Sequence, residues 1–434
     1  MPNGNHKITN DKNIILFVGN VSTAMIESVK QLEKHLGRKF RVFLLTSLKR
    51  KILAKVEASL EKVVRCKIDK IKMIEQALLP YYDQIAATIC KFEAPMPIYA
   101  RVVPLFPYLK NPTPRAILIA NDKLEMRKAF ARYAPQITPK FIKVKKYTEA
   151  VLKEVIDNIG FPCVIKPTNL SKSKLVIICY YKEELEQNLK DAFRRIKALY
   201  KKDLAETEPK IIVEQLLEGQ MYSIDAYVNS YGKLYYTPII EIKTGKDAGY
   251  DDFFMYTQLT PSTLIKDEEE KAQLAVERAT HAVGLRSSTV HCELMKTHKG
   301  WKVIELASRT GGFREELLYN SFGINHNLND FLIHLGKKPI LKKTREMYTV
   351  FMKFWPHKSG KLIAIKGLKK AKELKSLVKF RQEKKLGDFA GLSKNGHTFV
   401  VGLTLATKTR SDLLADIRRL EKWIKIETQK KLAK

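Results

Sequence analysis

Short apolar runs alternate with amphipathic stretches along the first half of this chain. Residues 14–18 (Ile-Ile-Leu-Phe-Val) form an unbroken β-rich run ending at Gly19, and residues 41–45 form a second. Between them Met25, Ile26, Val29 and Leu32 recur at helical spacing. Strand, helix, strand at this spacing predicts a βαβ unit, hence an α/β start. Pro104, Pro107, Pro112 and Pro114 then mark a boundary. Beyond it Asn121 or Asp122 is placed to cap a helix. Strands are predicted at 162–167, 175–180, 210–216, 222–228, 234–241, 289–294 and 301–306. Two long helices are predicted around 182–200 and 268–283, with a third after Gly312, and Pro339 closes the block. After about residue 347, short strands separated by glycines lead to a final amphipathic helix bearing Leu413, Leu414, Ile417, Leu420, Trp423 and Ile424. Its Trp423 is expected to face a core. The organisation expected is an α/β domain over 1–114, a central domain over 115–346 and a small β-rich domain with a terminal helix over 347–434.

Composition narrows the class. With 45% apolar and 9% aromatic residues in 434, the chain can bury a core and is not a disordered polymer. The formal net charge of +33 invites a nucleic-acid or anionic-membrane partner. Position argues otherwise: residues 1–110 carry net +10, residues 347–434 net +15, and the long middle only +8. Chemistry in the middle is not explained by bulk basicity. The five cysteines are scattered without a CxxC pair, which reads as reduced thiols rather than a disulfide framework or zinc site. A polar N-terminus and no run of eighteen apolar residues predict a cytoplasmic protein with no membrane partner. Neither G-x-G-x-x-G nor a P-loop is present, and no HExxH suggests a zinc hydrolase.

Three segments carry candidate chemistry. Glu293 and Glu305 are twelve residues apart with Lys299-Gly300 roughly midway. A hairpin turning there sets the two carboxylates side by side, and such a pair repels unless a cation lies between. Mg²⁺ holding phosphates suits these hard oxygen ligands. Arg309, just before Gly311-Gly312, could neutralise charge on a transferring phosphoryl or acyl-phosphate group. In Gly160-Phe-Pro-Cys-Val-Ile-Lys-Pro167, Lys166 ends a strand and could aim an ammonium at a phosphate; a snorkelling lysine is the structural alternative. In Val213-Glu-Gln-Leu-Leu-Glu-Gly219 a strand runs into a turn whose backbone could read an adenine edge, or simply turn. Cys292 alternates to the opposite strand face and reads as a packed thiol.

In this order and spacing, with Asn121-Asp-Lys123 before them and Tyr222-Ser-Ile-Asp225 between, the segments resemble the ATP-grasp superfamily of ATP-dependent carboxylate–amine ligases, closest to the L-amino-acid-ligase-like branch. The resemblance implies an α/β (α+β) ATP-grasp fold with a Rossmann-like pre-grasp domain and a small β-rich C-terminal domain. It implies that Lys123 and Lys166 contact ATP phosphates. Glu214, Gln215 and Leu217 would form the adenine hinge, the last two mainly through backbone. Glu293 and Glu305 would hold Mg²⁺ (or Mn²⁺), and Arg309 would stabilise the acyl-phosphate step. A phosphate lid would span Ser171, Lys172, Ser173 and Lys174, where lysines replace the usual glycines. Met221 stands where the family contacts ribose through a polar residue, and Ala307 stands where many members carry a metal-binding Asn. The partners implied are small-molecule carboxylate and amine substrates, with a homo-oligomer left open and no nucleic acid. Two alternatives stay open: a bicarbonate-activating carboxylase or carbamoyl-phosphate type of enzyme, and a degenerate nucleotide-binding protein whose basic ends hold an anionic partner. The acceptor pocket is expected in loops around 250–261 and 312–320, with Arg314 either meeting a substrate carboxylate or lying on the surface.

Overall fold

The computed structural model describes residues 12–169, 175–203, 209–250, 254–393 and 396–429. The α/β start is present: Ile14–Val18 is the inner strand of a four-stranded parallel sheet, flanked by Arg41–Ser47 and Ile85–Ile89, with Lys62–Cys66 outermost. All five residues of Ile14–Val18 are buried because both faces of this sheet are covered, which is why that run does not alternate. Helix Thr23–Leu36 starts at Ser22, whose Oγ accepts from the Met25 N–H, and stops at Gly37 in the left-handed conformation. The proline-marked boundary leads into helix Pro114–Ala120, capped by Thr113. Its Ile117 joins the core of the first sheet, while Ala116 and Ala120 join the next core.

The centre holds two sheets. A small antiparallel one runs Phe141–Val144, Ile211–Gln215, Cys163–Pro167, Ile177–Cys179, and packs on helices Glu149–Asn158 and Lys182–Asp203. A large one runs Gly300–Ala307, Ser288–Thr297, Gln220–Val228, Ile240–Thr244, Met255–Thr260, Tyr348–Phe354, Val401–Thr407, Leu377–Gln382, with Leu234–Tyr236 paired to the side. Helix Lys266–Val283 covers one of its faces through Ala272, Ala275, Val276 and Ala279. Helix His326–His334 fastens the first sheet to the large one. Its Phe331 and Leu332 enter the N-terminal core, and its Asp330 takes Lys91 at 2.6 Å and Thr289 at 2.5 Å in a buried cluster.

Several sequence expectations shift. The predicted strand over 234–241 divides around Pro238, which has no N–H to give a ladder. Residues 255–260, expected in a variable loop, form a strand pairing Ile240–Thr244 and Tyr348–Phe354. The large sheet therefore passes through residue 347 without a break. The terminal helix, Arg410–Trp423, is followed by strand Lys425–Gln429, which pairs with Gly360–Lys366. Leu413, Ile417 and Leu420 of that helix are buried as its periodicity requires, while Trp423 packs only partly buried. Leu420→Ala is expected to cost about 2–5 kcal/mol in a denaturant melt, and a loss within error would show that this helix is not part of the core. All five cysteines are free and buried. Among the described residues no helix is long and apolar enough to cross a membrane.

Candidate active site

The hairpin Ser288–Thr297/Gly300–Ala307 turns at His298-Lys299, with Gly300 at φ 90°. Its apolar side chains Val290, Cys292, Leu294, Val303 and Leu306 fill the core under helix Lys266–Val283. Period-two alternation then turns His291, Glu293 and Glu305 to the other face. Glu293 and Glu305 are direct cross-strand partners, as the spacing implied. Both are partly open to solvent, and Ser223 stands opposite Glu293 on the next strand. Burial of Glu293 opposes its charge, but His291, Arg314 and Lys123 hold its pKa below the ordinary carboxylate value. Cys292 is fully buried behind them, and burial pushes its thiol well above the usual range.

Lys123 begins helix Lys123–Tyr133. Asp122 caps that helix through the N–H groups of Leu124 (2.9 Å) and Glu125 (3.3 Å). The Lys123 N–H donates to the Thr168 carbonyl at 2.8 Å, pinning the helix start to the end of strand Cys163–Pro167. From there its Nζ donates to Glu305 Oε1 at 3.2 Å. Lys166 points instead to Glu214, at 2.9 Å. Arg127, one turn into the same helix, closes a fork on that carboxylate through Nε at 2.7 Å and Nη2 at 3.3 Å. The ladder shifts register beside Glu293 and leaves Ile304 unpaired; Arg127 donates to the carbonyls of Val303 (3.0 Å) and Ile304 (2.7 Å) there. One buried guanidinium thus ties the small sheet to the glutamate hairpin.

Glu214 is 1% exposed, and its carboxylate is engaged by two cations. Burial alone would raise its pKa, yet Arg127 and then Lys166 bring it down to about 2, from an ordinary 4.5. Stability from this group is complete above pH 4.5 and is lost as pH falls toward 2, about 3 kcal/mol in all. Acid unfolding of Glu214→Gln should be correspondingly flatter across that window, and an unchanged slope would refute the pairing.

The other candidate residues divide. The Gln215 N–H donates to the Lys140 carbonyl at 3.0 Å, and Leu217 follows, half-buried, in the turn. Met221, 8% exposed, lies between Ile242 and Met295 and contributes no polar group. Arg309 reaches Glu93 after strand Ile85–Ile89, and donates to the Thr310 carbonyl at 2.9 Å. Burial and the nearby Arg314 lower its pKa to about 10. Arg314 is not a surface arginine: it is 1% exposed. Ser171, Lys172, Ser173 and Lys174 lie outside the described residues.

Sequence reasoning missed the buried network behind the glutamates. Asp225 accepts from the Gly311 N–H at 2.7 Å and lies 2.6 Å from His291 Nδ1 and 2.8 Å from His326 Nε2. Tyr227 closes the chain on the other nitrogen of His326. The second nitrogen of His291 lies 3.4 Å from Glu293. Burial works against a charged His291, but Asp225 raises its pKa to about 9. Gly311 is obligatory here, since a Cβ would lie 2.5 Å from His291 Nδ1. The legible signals were alternation, which puts Asp225 opposite His291 once the strands are aligned, and the charged Arg127 among Leu124, Met126 and Phe130. Alignment itself was not in the pattern.

The donor chemistry fits Mg²⁺. Among the described residues no group of three or more His, Cys, Asp or Glu could hold a metal. Two carboxylates on adjacent strands are what Mg²⁺ takes when phosphates and water supply the rest.

Residues 159–315 match a family described as the ATP-grasp domain. The chain is 30% identical over 265 residues to the D-alanine–D-alanine ligase of Staphylococcus carnosus, covering 56% of this chain and 68% of that protein. It is 27% identical over 236 residues to the Bacillus velezensis enzyme of the same name, covering 50% and 61%. The chain thus spans about two thirds or less of the length of these relatives. In fold it superposes on the L-amino acid ligase of Bacillus licheniformis with a TM-score of 0.74 at 16% identity, over 96% of this chain and 99% of that one. Paired glutamates on a hairpin, Lys123 reaching them from a separate helix, and these relationships lead to one assignment: the chain belongs to the ATP-grasp family of carboxylate–amine ligases.

Proposed function

We propose that this protein activates a substrate carboxylate with ATP and joins it to an amine, with Mg²⁺ held at Glu293 and Glu305. One observation carries the reading: the two carboxylates are register partners on one face of the sheet, and Lys123 reaches Glu305 there from a different element. The carboxylate oxygen would attack the γ-phosphorus of ATP, giving an acyl phosphate and ADP. The amine would then add at the acyl carbon and expel phosphate, losing a proton. Mg²⁺ when bound supplies charge neutralisation at the phosphates. Lys123 would serve the same cluster of charge, and Arg309, held by Glu93 and the Thr310 carbonyl, would act on the acyl-phosphate step. Lys166, with Glu214 between it and Arg127, would meet the phosphates from the small sheet, and Gln215 and Leu217 would border the base. Met221 would leave the ribose without a polar contact. The functional parts proposed are 1–114, 115–346 and 347–434. Small organic carboxylates and amines are the partners on this reading, acting in the cytoplasm.

Incubation with ATP, Mg²⁺ and pools of amino acids should release phosphate only when an amine acceptor is present. Folded protein that binds no ATP by calorimetry would remove the proposal. ADP formation that needs bicarbonate but no amine would point to the carboxylase type of activity.

A further inference from the structure

The face of the large sheet that presents Glu305, Glu293 and Ser223 continues across the strands. Register carries it from Met221 through Ile242 and Gln258 to Phe351, and Lys353 is two residues further on the same side. Arg314 roofs this row, reaching Gln258 Oε1 with Nη1 and Ser223 Oγ with Nη2, the latter at 2.7 Å. The amide oxygen of Gln258 is thereby used, while its Nε2 is buried without an acceptor. Trp355 Nε1 is buried without one as well, while Arg314 Nε faces Asp225 Oδ1 at 3.9 Å, and these three side chains are each no more than 5% exposed. Lys353 Nζ makes neither a hydrogen bond nor an ion pair among the described residues. Rings surround it: Phe313 at 5.5 Å, Phe351 at 5.8 Å and Trp355 at 5.8 Å. A buried donor without an acceptor is costly, and the Gln258 amide and Trp355 indole donors both stand without one.

Backbone strain points to the same place. Phe313 sits at φ 64°, a left-handed region that bulky side chains avoid. That conformation lays its half-buried ring on Phe351, with centroids 3.9 Å apart and planes at 30°. Across the ladder from Lys353 stands Gly402, where a Cβ would come within 2.8 Å of the Phe399 ring. The arrangement is a packed aromatic wall beside a cation and an amide, on the face that also carries the candidate metal carboxylates.

We propose that Lys353 and the Gln258 amide, the latter oriented by Arg314, bind the carboxylate of a substrate whose body is aromatic, with the Phe313 ring as its wall. This rests on the ligase reading for its place in catalysis, but every binding group it names belongs to the protein and none to a nucleotide. Burial and Arg314 draw the pKa of Lys353 down to about 7 with only partial relief from Glu293, so an incoming anion supplies the counter-charge this group lacks. Glu316 does not compete for it, being taken by Arg381.

The test is calorimetric titration of the full chain with L-phenylalanine, L-phenylalaninamide and L-alanine, with and without MgADP. L-phenylalanine should bind, and both the amide and L-alanine should bind at least about tenfold more weakly. Lys353→Met should weaken L-phenylalanine about 10- to 100-fold while MgADP affinity holds and the melting temperature does not fall, and Lys353→Arg should restore most of the loss. Gln258→Met provides a second variant with the same expected direction. Equal binding of acid and amide, equal binding of L-alanine, no binding of L-phenylalanine, or an indifferent Lys353→Met would each overturn the pocket. Failure of MgADP to bind would overturn the ligase reading only, since the nucleotide-free titration still decides the pocket.

Discussion

Glu305→Gln should reduce ATP-dependent phosphate release about a thousandfold, about 4 kcal/mol of transition-state stabilisation, and leave the melting temperature nearly unchanged. The asymmetry comes from where Glu305 sits. Its side chain is partly exposed, and an amide oxygen still accepts from Lys123, so the hairpin loses little. What disappears is one of two adjacent negative charges, and with it the field that would hold a divalent cation against phosphates. Glu293→Gln should cost a similar factor but also some stability, because Glu293 is tied to His291 and through it to the buried Asp225. Stopped assays of ADP formation paired with thermal melts separate the two effects. Activity of Glu305→Gln within tenfold of the parent protein would remove the carboxylate pair from the chemistry.

The second large effect is one of stability. Arg127→Met should cost about 3–5 kcal/mol in a denaturant melt, because it strands the Glu214 carboxylate in the core with Lys166 as its remaining cation. It also removes the donor serving the Val303 and Ile304 carbonyls. The double variant Arg127→Met, Glu214→Leu should recover much of that loss, since a buried ion pair replaced by apolar groups of similar volume is often neutral. Recovery would show that the penalty was the unpaired charge. No recovery would place the cost in the two carbonyls left without a donor. In either case the small sheet should loosen from the glutamate hairpin, and nucleotide affinity should fall in the double variant despite its regained stability.

Much of this was legible beforehand because the physics was local. Twelve residues and a turn suffice to pair Glu293 with Glu305, and a residue of the Asp type at position 122 suffices to start the helix that carries Lys123. Alternation alone hid Cys292 behind the glutamates. The remainder needed contacts distant in sequence. Arg127 is an ordinary helix residue until a strand 87 positions later brings Glu214 to it. Arg309 could be nominated as a free cation because Glu93, 216 residues earlier, is invisible in the pattern around it. From sequence Met255–Thr260 reads as a loop for a related reason: its pairing comes from strands on both sides, the nearer ending at Thr244 and the farther starting at Tyr348. Even the charge of +33 is sharpened in this way. The basic residues with chemical consequence are few, and each is defined by the carboxylate or ring it faces.

The unbroken passage of the large sheet through residue 347 makes the last fifth of the chain structural shielding for the strands before it. Tyr348–Phe354 is the hydrogen-bonding neighbour of Met255–Thr260, a strand whose last five residues are all buried. A chain ending near 346 would therefore present an apolar, unpaired strand edge in the middle of what had been a continuous ladder, a template for pairing with other chains. Such a fragment should aggregate instead of behaving as a smaller nucleotide-binding unit. The C-terminal strands thus act as a cap against self-association, and evolutionary loss or engineering removal of this segment is constrained by colloidal behaviour before it is constrained by catalysis.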